Sequence, residues 1–167
     1  MTEEEIRIAN KTYRSKGSSV FNNDGKIRSL VARYIESNID KERKLLDYGC
    51  GTYFVQGNYL KSLGFDVDGW DIGNNKPVNC VTDLENKYNV VYASNVLNTM
   101  SSKSMLEESL QQINRCLLNK GLFIANYPKT PRKLNLSNDE MTELIKQYFV
   151  VIKKCSNGLI VCQKKNA

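Results

Sequence analysis

A chain of 167 residues with 41% hydrophobic and 25% charged residues is long enough to bury one substantial core; this composition excludes wholesale disorder and leaves no room for a second catalytic domain. Histidine is absent, which excludes Ser-His-Asp and Cys-His catalysis and removes the commonest ligand of a catalytic zinc, so no metal is expected. The net charge of +6, with a pI near 9.0, permits an anionic partner such as nucleic acid, but it speaks to association rather than to chemistry.

The five cysteines, Cys50, Cys80, Cys116, Cys155 and Cys162, are odd in number and form no C-x-x-C pair, which argues against a disulfide framework and a zinc ribbon. Reduced thiols are the simple reading. The chain begins Met1-Thr-Glu-Glu-Glu without a basic segment ahead of an apolar one, and no apolar run approaches the ~20 residues that span a bilayer. A cytoplasmic location without a membrane partner is expected, in the cytoplasm of a host if the chain is phage-encoded.

Along the chain, Thr2 and Glu5 form a capping box that opens a short polar helix. A second helix is expected from about Asp24, with Ile27, Leu30, Val31, Tyr34 and Ile35 on one stripe. Strand and helix then alternate: strand Lys44–Tyr48, helix Phe54–Leu63, strand Phe65–Trp70, strand Pro77–Val81, strand Tyr88–Ala93. A helix over Met105–Leu117 follows, with Leu106, Leu110, Ile113 and Leu117 in register, and then a strand over Gly121–Ala125. Ser137 and Glu140 make a second capping box before a helix carrying Met141, Leu144 and Ile145. Strands Tyr148–Lys153 and Leu159–Gln163 close the chain across Cys155-Ser-Asn-Gly158, a turn too short for a crossover. The expectation is one α/β domain spanning 1–167, with a Rossmann-like doubly wound, mostly parallel seven-stranded sheet ending in an antiparallel hairpin. Residues 1–43 form N-terminal helices covering the cleft, and residues 44–167 the core.

The segment Leu45-Leu46-Asp47-Tyr48-Gly49-Cys50-Gly51 sets an acid at the end of a strand against a loop with two glycines just ahead of a helix. Glycines there permit a tight turn and close backbone approach, and the helix N-terminus offers unpaired N–H groups. A pyrophosphate fingerprint requires a third glycine where Phe54 stands, which disfavours NAD and FAD. Asp47 repels a pyrophosphate but suits a ligand carrying an ammonium and a sulfonium, so the loop prefers S-adenosylmethionine. The second strand runs into Asp71, whose carboxylate is placed to accept two hydrogen bonds from a ribose diol. Asp83 follows the third strand, where it suits an adenine amino group, with Leu84 and Ile72 sandwiching the ring; a helix cap or turn is the plain alternative for it. Asp66 and Asp68 read equally well as solvated strand-end residues.

Leu46-Asp-Tyr-Gly-Cys-Gly51, Gly69-Trp-Asp71, Asp83-Leu84, Tyr92-Ala-Ser-Asn-Val-Leu-Asn98 and Gly121-Leu-Phe-Ile together resemble the class I S-adenosylmethionine-dependent methyltransferases. Within them, the glycine loop, Asn95-Val-Leu-Asn98 and the upstream Tyr13-Arg-Ser-Lys-Gly-Ser-Ser19 are similar to small methyltransferases of phages and of DNA-modification gene clusters. The resemblance implies that Gly49, Cys50 and Gly51 approach the methionine moiety, Asp47 helps hold its amino group, Asp71 takes the ribose and Asp83 the adenine. It also implies that Ser94 and Asn95 face the transferable methyl. The chain departs from the pattern at Tyr53-Phe54, where a small residue is common and an aromatic either caps the cofactor or crowds it.

The acceptor is not written in the sequence. The place where exocyclic-amine DNA methyltransferases carry an Asp/Asn/Ser-Pro-Pro-aromatic tetrapeptide reads Ser94-Asn-Val-Leu97, and no Pro-Cys dipeptide supports attack at cytosine C5. Arg14 and Lys16 before the cleft, and Tyr127 and Arg132 after it, form basic and aromatic groups suited to gripping phosphates and stacking bases, or else ordinary solvated surface. Three readings stand together: a methyltransferase acting on nucleic acid or a small molecule, a protein that degrades or senses S-adenosylmethionine, and a nucleic-acid-binding module with a vestigial pocket.

Overall fold

A computed structural model describes residues 1–12, 24–51, 53–72, 82–130 and 132–166. Two helices lead, α1 (Glu3–Thr12) and α2 (Leu30–Asn38), followed by β1 (Lys44–Tyr48), α3 (Val55–Ser62), β2 (Asp66–Trp70), β3 (Tyr88–Ala93), α4 (Lys103–Cys116), β4 (Leu117–Asn126), α5 (Asn138–Tyr148), β5 (Phe149–Lys154) and β6 (Leu159–Lys164). Among the described residues the sheet has six strands in the order β2-β1-β3-β4-β6-β5. The first four pair in parallel, while β6 runs antiparallel to both β4 and β5, so the closing hairpin is inserted with its second strand innermost. The seventh expected strand, residues 77–81, lies outside the described residues.

Successive residues of β1 point to opposite faces, and both faces are covered. Leu45 packs with Val31 and Ile35 of α2 and Leu60 of α3. Leu46 packs with Leu106, Leu110 and Ile113 of α4 and with Met141, Leu144 and Ile145 of α5. A strand buried on both sides has no need of polar alternation, which is why β1 and β3 read as nearly continuous apolar runs.

Local chemistry sets the helix ends. Both expected capping boxes form, Thr2 with Glu5 and Ser137 with Glu140. The second helix begins at Leu30 rather than near Asp24, because the Ser29 hydroxyl accepts the Ala32 N–H and caps it there. Ile27, which falls on the same stripe, is instead buried ahead of the helix, its carbonyl taken by Arg33 Nε. The fifth expected strand also begins earlier than Gly121: β4 starts at Leu117, bulges past Lys120 at φ 59°, and resumes its register with β3 at Leu122.

Both leading helices are tied to the loop that follows β3. Glu5 of α1 accepts a hydrogen bond from the Ser102 hydroxyl at the start of α4, and Ser29 at the start of α2 meets Ser94 at the end of β3. Among the described residues no helix is long and apolar enough to cross a membrane.

Candidate functional site

Parallel strands deliver their carboxyl ends to one edge of the sheet, and there the loops after β1, β2 and β3 converge. The Gly49 and Cys50 N–H groups both donate to the Trp70 carbonyl, at 2.7 and 3.1 Å. The next amide, that of Gly51, donates to Asp71 Oδ2 at 2.8 Å. The structure therefore brings the glycine loop and Asp71 together as the sequence predicts, but the loop amides are used to join β1 to β2. Gly49 sits at φ 80°, and a Cβ there would lie 2.6 Å from Val96 Cγ2, so both its backbone and its neighbour require glycine. The Cys50 side chain is turned inward, its thiol bonded to the Gly51 carbonyl and packed against Gly69.

Asp47 ends β1 only 3% exposed. Burial raises its carboxyl pKa from 3.8 to about 7, and the nearby Asp71 charge pushes the same way, while the Tyr92 hydroxyl and the Gly57 amide pull it partly back. Tyr92 is its register partner on β3. The Tyr92 hydroxyl is fully buried and makes no hydrogen bond of ordinary geometry among the described residues. A buried carboxyl with no cationic partner among the described residues is costly alone and suits a ligand that brings a cation. The sequence reading includes Tyr92 in the Tyr92–Asn98 motif but gives its side chain no role.

The two aromatics of the loop part company. Tyr53 is 67% exposed, whereas Phe54, at φ 48°, turns under α3. A Cβ on Gly57 would lie 1.9 Å from the Phe54 ring and one on Gly69 2.9 Å from it. The Phe54 ring is thus packed against Gly57 and Gly69, whose missing side chains leave it room.

At the end of β3, Ser94 and Asn95 are held by residues the sequence reading did not single out. Ser29 Oγ donates to Gln56 Oε1 at 2.9 Å, Gln56 Nε2 donates to Ser94 Oγ at 2.9 Å, and the two serine oxygens lie 3.0 Å apart. Asn95, exposed and at φ 56°, is paired with Asn126 of β4: its N–H donates to Asn126 Oδ1 and its Oδ1 accepts from Asn126 Nδ2, both at 2.7 Å. Asn95 therefore serves to fix the turn, and Asn126 belongs to the site edge.

On the α4 side, Asp83 is exposed at the rim of a cavity of about 240 Å³, which Trp70 and Arg115 also line. Leu84 is buried in the core there, and Trp70 stacks on Tyr48 at 4.7 Å. Ile72 is half-buried just past β2. Asp66 and Asp68 are engaged by Lys44, and Asp68 also by the Tyr88 hydroxyl, as surface and strand-edge residues.

The basic and aromatic groups expected to grip an acceptor are placed otherwise. Tyr127 is 1% exposed with its hydroxyl donating to the Leu136 carbonyl, so burial corrects its assignment as a base-stacking surface. Arg132 lies over the Tyr127 ring at 3.9 Å and donates to the carbonyls of Pro128 and Leu136 and to Asn138 Oδ1. Its guanidinium organises the loop between β4 and α5, which corrects its assignment as an acceptor contact. Arg14 and Lys16 lie outside the described residues. Among the described residues no group of three or more Cys, Asp or Glu is placed to hold a metal.

A doubly wound sheet, a glycine loop tied to an acid on the neighbouring strand, and a buried acid beneath that loop define an α/β protein with a nucleoside-type ligand site at its carboxyl edge. A family profile described as a methyltransferase domain matches residues 21–156. The chain belongs to that methyltransferase family, and its cofactor is S-adenosylmethionine. Its fold is similar to that of a TehB-like SAM-dependent methyltransferase from Corynebacterium glutamicum, at 20% identity over 85% of this chain and 91% of that one, with a TM-score of 0.66. A protein of Pyrococcus horikoshii is similar over 99% of this chain and 100% of its own, at 18% identity and a TM-score of 0.64. The 1,6-didemethyltoxoflavin-N1-methyltransferase of Burkholderia thailandensis, solved with S-adenosylhomocysteine, is similar at 13% identity over 81% of this chain and 77% of that chain, with a TM-score of 0.64. No curated protein matches the chain by sequence.

Proposed function

We propose that this chain transfers a methyl group from S-adenosylmethionine to a small-molecule nucleophile docked beside Ser94. In this reading Asp47, beneath the loop of Gly49, Cys50 and Gly51, receives the cofactor's ammonium, Asp71 its ribose, and Ile72, Asp83 and Leu84 its adenine. The bound cofactor supplies an electrophilic sulfonium methyl, which needs an aligned nucleophile and exclusion of water. The observation that carries the reading is the buried Asp47 beneath the glycine loop that Asp71 holds. A cation arriving there restores the ionised carboxylate that burial disfavours. The first-turn N–H groups of α3, which has no side-chain cap at Phe54, suit the methionine carboxylate.

A small molecule is favoured over nucleic acid because the Arg132 guanidinium and the Tyr127 ring are engaged within the protein. The test is incubation with methyl-labelled cofactor alone, then with nucleic acid, then with a cell-derived small-molecule extract. Label appearing in the small-molecule fraction alone supports the reading; label moving into nucleic acid, or cofactor breakdown without an acceptor, overturns it.

A further inference from the structure

The Ser29–Gln56–Ser94 cluster joins the start of α2, the first turn of α3 and the end of β3 into a closed ring of hydrogen bonds. Proton counting fixes its direction. A serine hydroxyl has one proton and two lone pairs. Ser29 gives its proton to Gln56 Oε1 and already accepts the Ala32 N–H at 3.1 Å, so the proton between the two serines is that of Ser94. Ser94 therefore spends its proton on Ser29 and one lone pair on Gln56 Nε2. One lone pair is left, and among the described residues nothing takes it. Ser94 is partly exposed at the carboxyl edge, beside the exposed Asn95.

We infer that the ring makes Ser94 a hydrogen-bond acceptor only, with Ser29 and Gln56 as positioning residues, and that the methyl acceptor is consequently a nucleophile carrying its own donor hydrogen, an N–H or O–H group. The inference rests on the methyltransferase reading of this site and narrows its substrate class. With its hydrogen held on Ser94 Oγ, the acceptor's nitrogen or oxygen is oriented by one fixed contact. Its lone pair forms the bond to the methyl carbon, the carbon–sulfur bond breaks with its electron pair retained by sulfur, and the acceptor's hydrogen leaves as a proton to water. An analogue without that hydrogen sets its own lone pair against the Ser94 lone pair, the arrangement by which sites built for a donor reject substrates lacking one.

The test uses methyl-labelled S-adenosylmethionine and a matched pair of probes, N-methylbenzylamine and N,N-dimethylbenzylamine, each rate divided by that of its uncatalysed methylation. The wild type is expected to prefer the secondary amine by about tenfold or more. Ser29→Ala and Gln56→Ala release the Ser94 proton; each should lower kcat and bring that ratio to about threefold or less, with KM for S-adenosylmethionine unmoved. Ser29→Thr, which keeps the hydroxyl and the helix cap, should recover the ratio that Ser29→Ala loses, which a merely structural role would not require. Equal wild-type rates on the two amines, an unchanged ratio in both alanine variants, or binding of S-adenosylhomocysteine without methylation of either amine would each overturn the inference. Failure to bind S-adenosylhomocysteine, measured separately by calorimetry, instead overturns the underlying reading and the inference with it.

Discussion

Asp71 Oδ2 accepts the Gly51 N–H at 2.8 Å, so the acid at the end of the second strand holds the glycine loop at the end of the first. One carboxylate thereby shapes the site and, in the proposed complex, contacts the ribose. Asp71→Ala removes both contributions. It should weaken S-adenosylmethionine and S-adenosylhomocysteine equally, by about 1.5–3 kcal/mol, since ribose contacts ignore the transferred methyl. Asp71→Asn retains an acceptor for Gly51 and should lose less. Calorimetry on the three proteins checks this; wild-type affinity in a folded Asp71→Ala protein removes the ribose assignment.

Asp47 ties stability to pH. Its folded-state pKa, raised by burial from 3.8 to about 7, means that the folded chain holds this proton more tightly than the unfolded one. Its contribution is therefore least unfavourable below about pH 4 and becomes steadily more unfavourable as pH rises toward 7. Asp47→Asn should raise Tm at pH 8, with the gain disappearing near pH 4, while weakening cofactor binding. In the wild type, cofactor affinity should rise with pH through 5 to 7, because the ligand's cation favours the ionised carboxylate. Thermal scans across pH check the first statement, and calorimetry the second.

The Phe54 ring fills the space above Gly57 and Gly69, so the Gly57→Ala methyl has nowhere to go. Overpacking of this kind costs about 1–3 kcal/mol and should lower Tm by about 5 °C. The penalty should shrink when Phe54 is also replaced by alanine. A double-mutant cycle by thermal denaturation measures that coupling, and additive effects would mean that the ring does not press on Gly57.

Arg132 tests the loop between β4 and α5. Arg132→Lys keeps the charge but cannot reproduce a planar group that donates to two carbonyls and Asn138 while stacking on Tyr127. It should lower Tm while leaving the salt dependence of any binding to DNA unchanged. A filter-binding titration at several salt concentrations, beside the thermal scan, separates the two; a weaker salt slope with intact stability would restore Arg132 as a phosphate contact.

What the sequence determined by itself lies within a few residues of chain or within one period of a regular element. Thr2 with Glu5 and Ser137 with Glu140 cap helices three residues away, the α4 stripe repeats every helical turn, and Asp47 and Asp71 stand at or just past the carboxyl ends of the first two strands. The alternation of these elements imposes parallel pairing, and parallel pairing brings those two acids to one edge. Tertiary structure decided which way each side chain of the site faces. Ser29 and Ser94 are 65 positions apart, and Asn95 and Asn126 are 31 apart, and no local rule connects either pair. Tyr92 acquires its chemistry solely from standing across from Asp47, and Tyr127 loses its access to solvent because the chain past Arg132 folds back over it. Phe54, too large for the position by any motif, is accommodated because glycine was spent at 57 and 69 instead. The physical reason is the same throughout: capping and periodicity are local interactions readable residue by residue, whereas burial and side-chain hydrogen bonding depend on neighbours that only the packed sheet supplies.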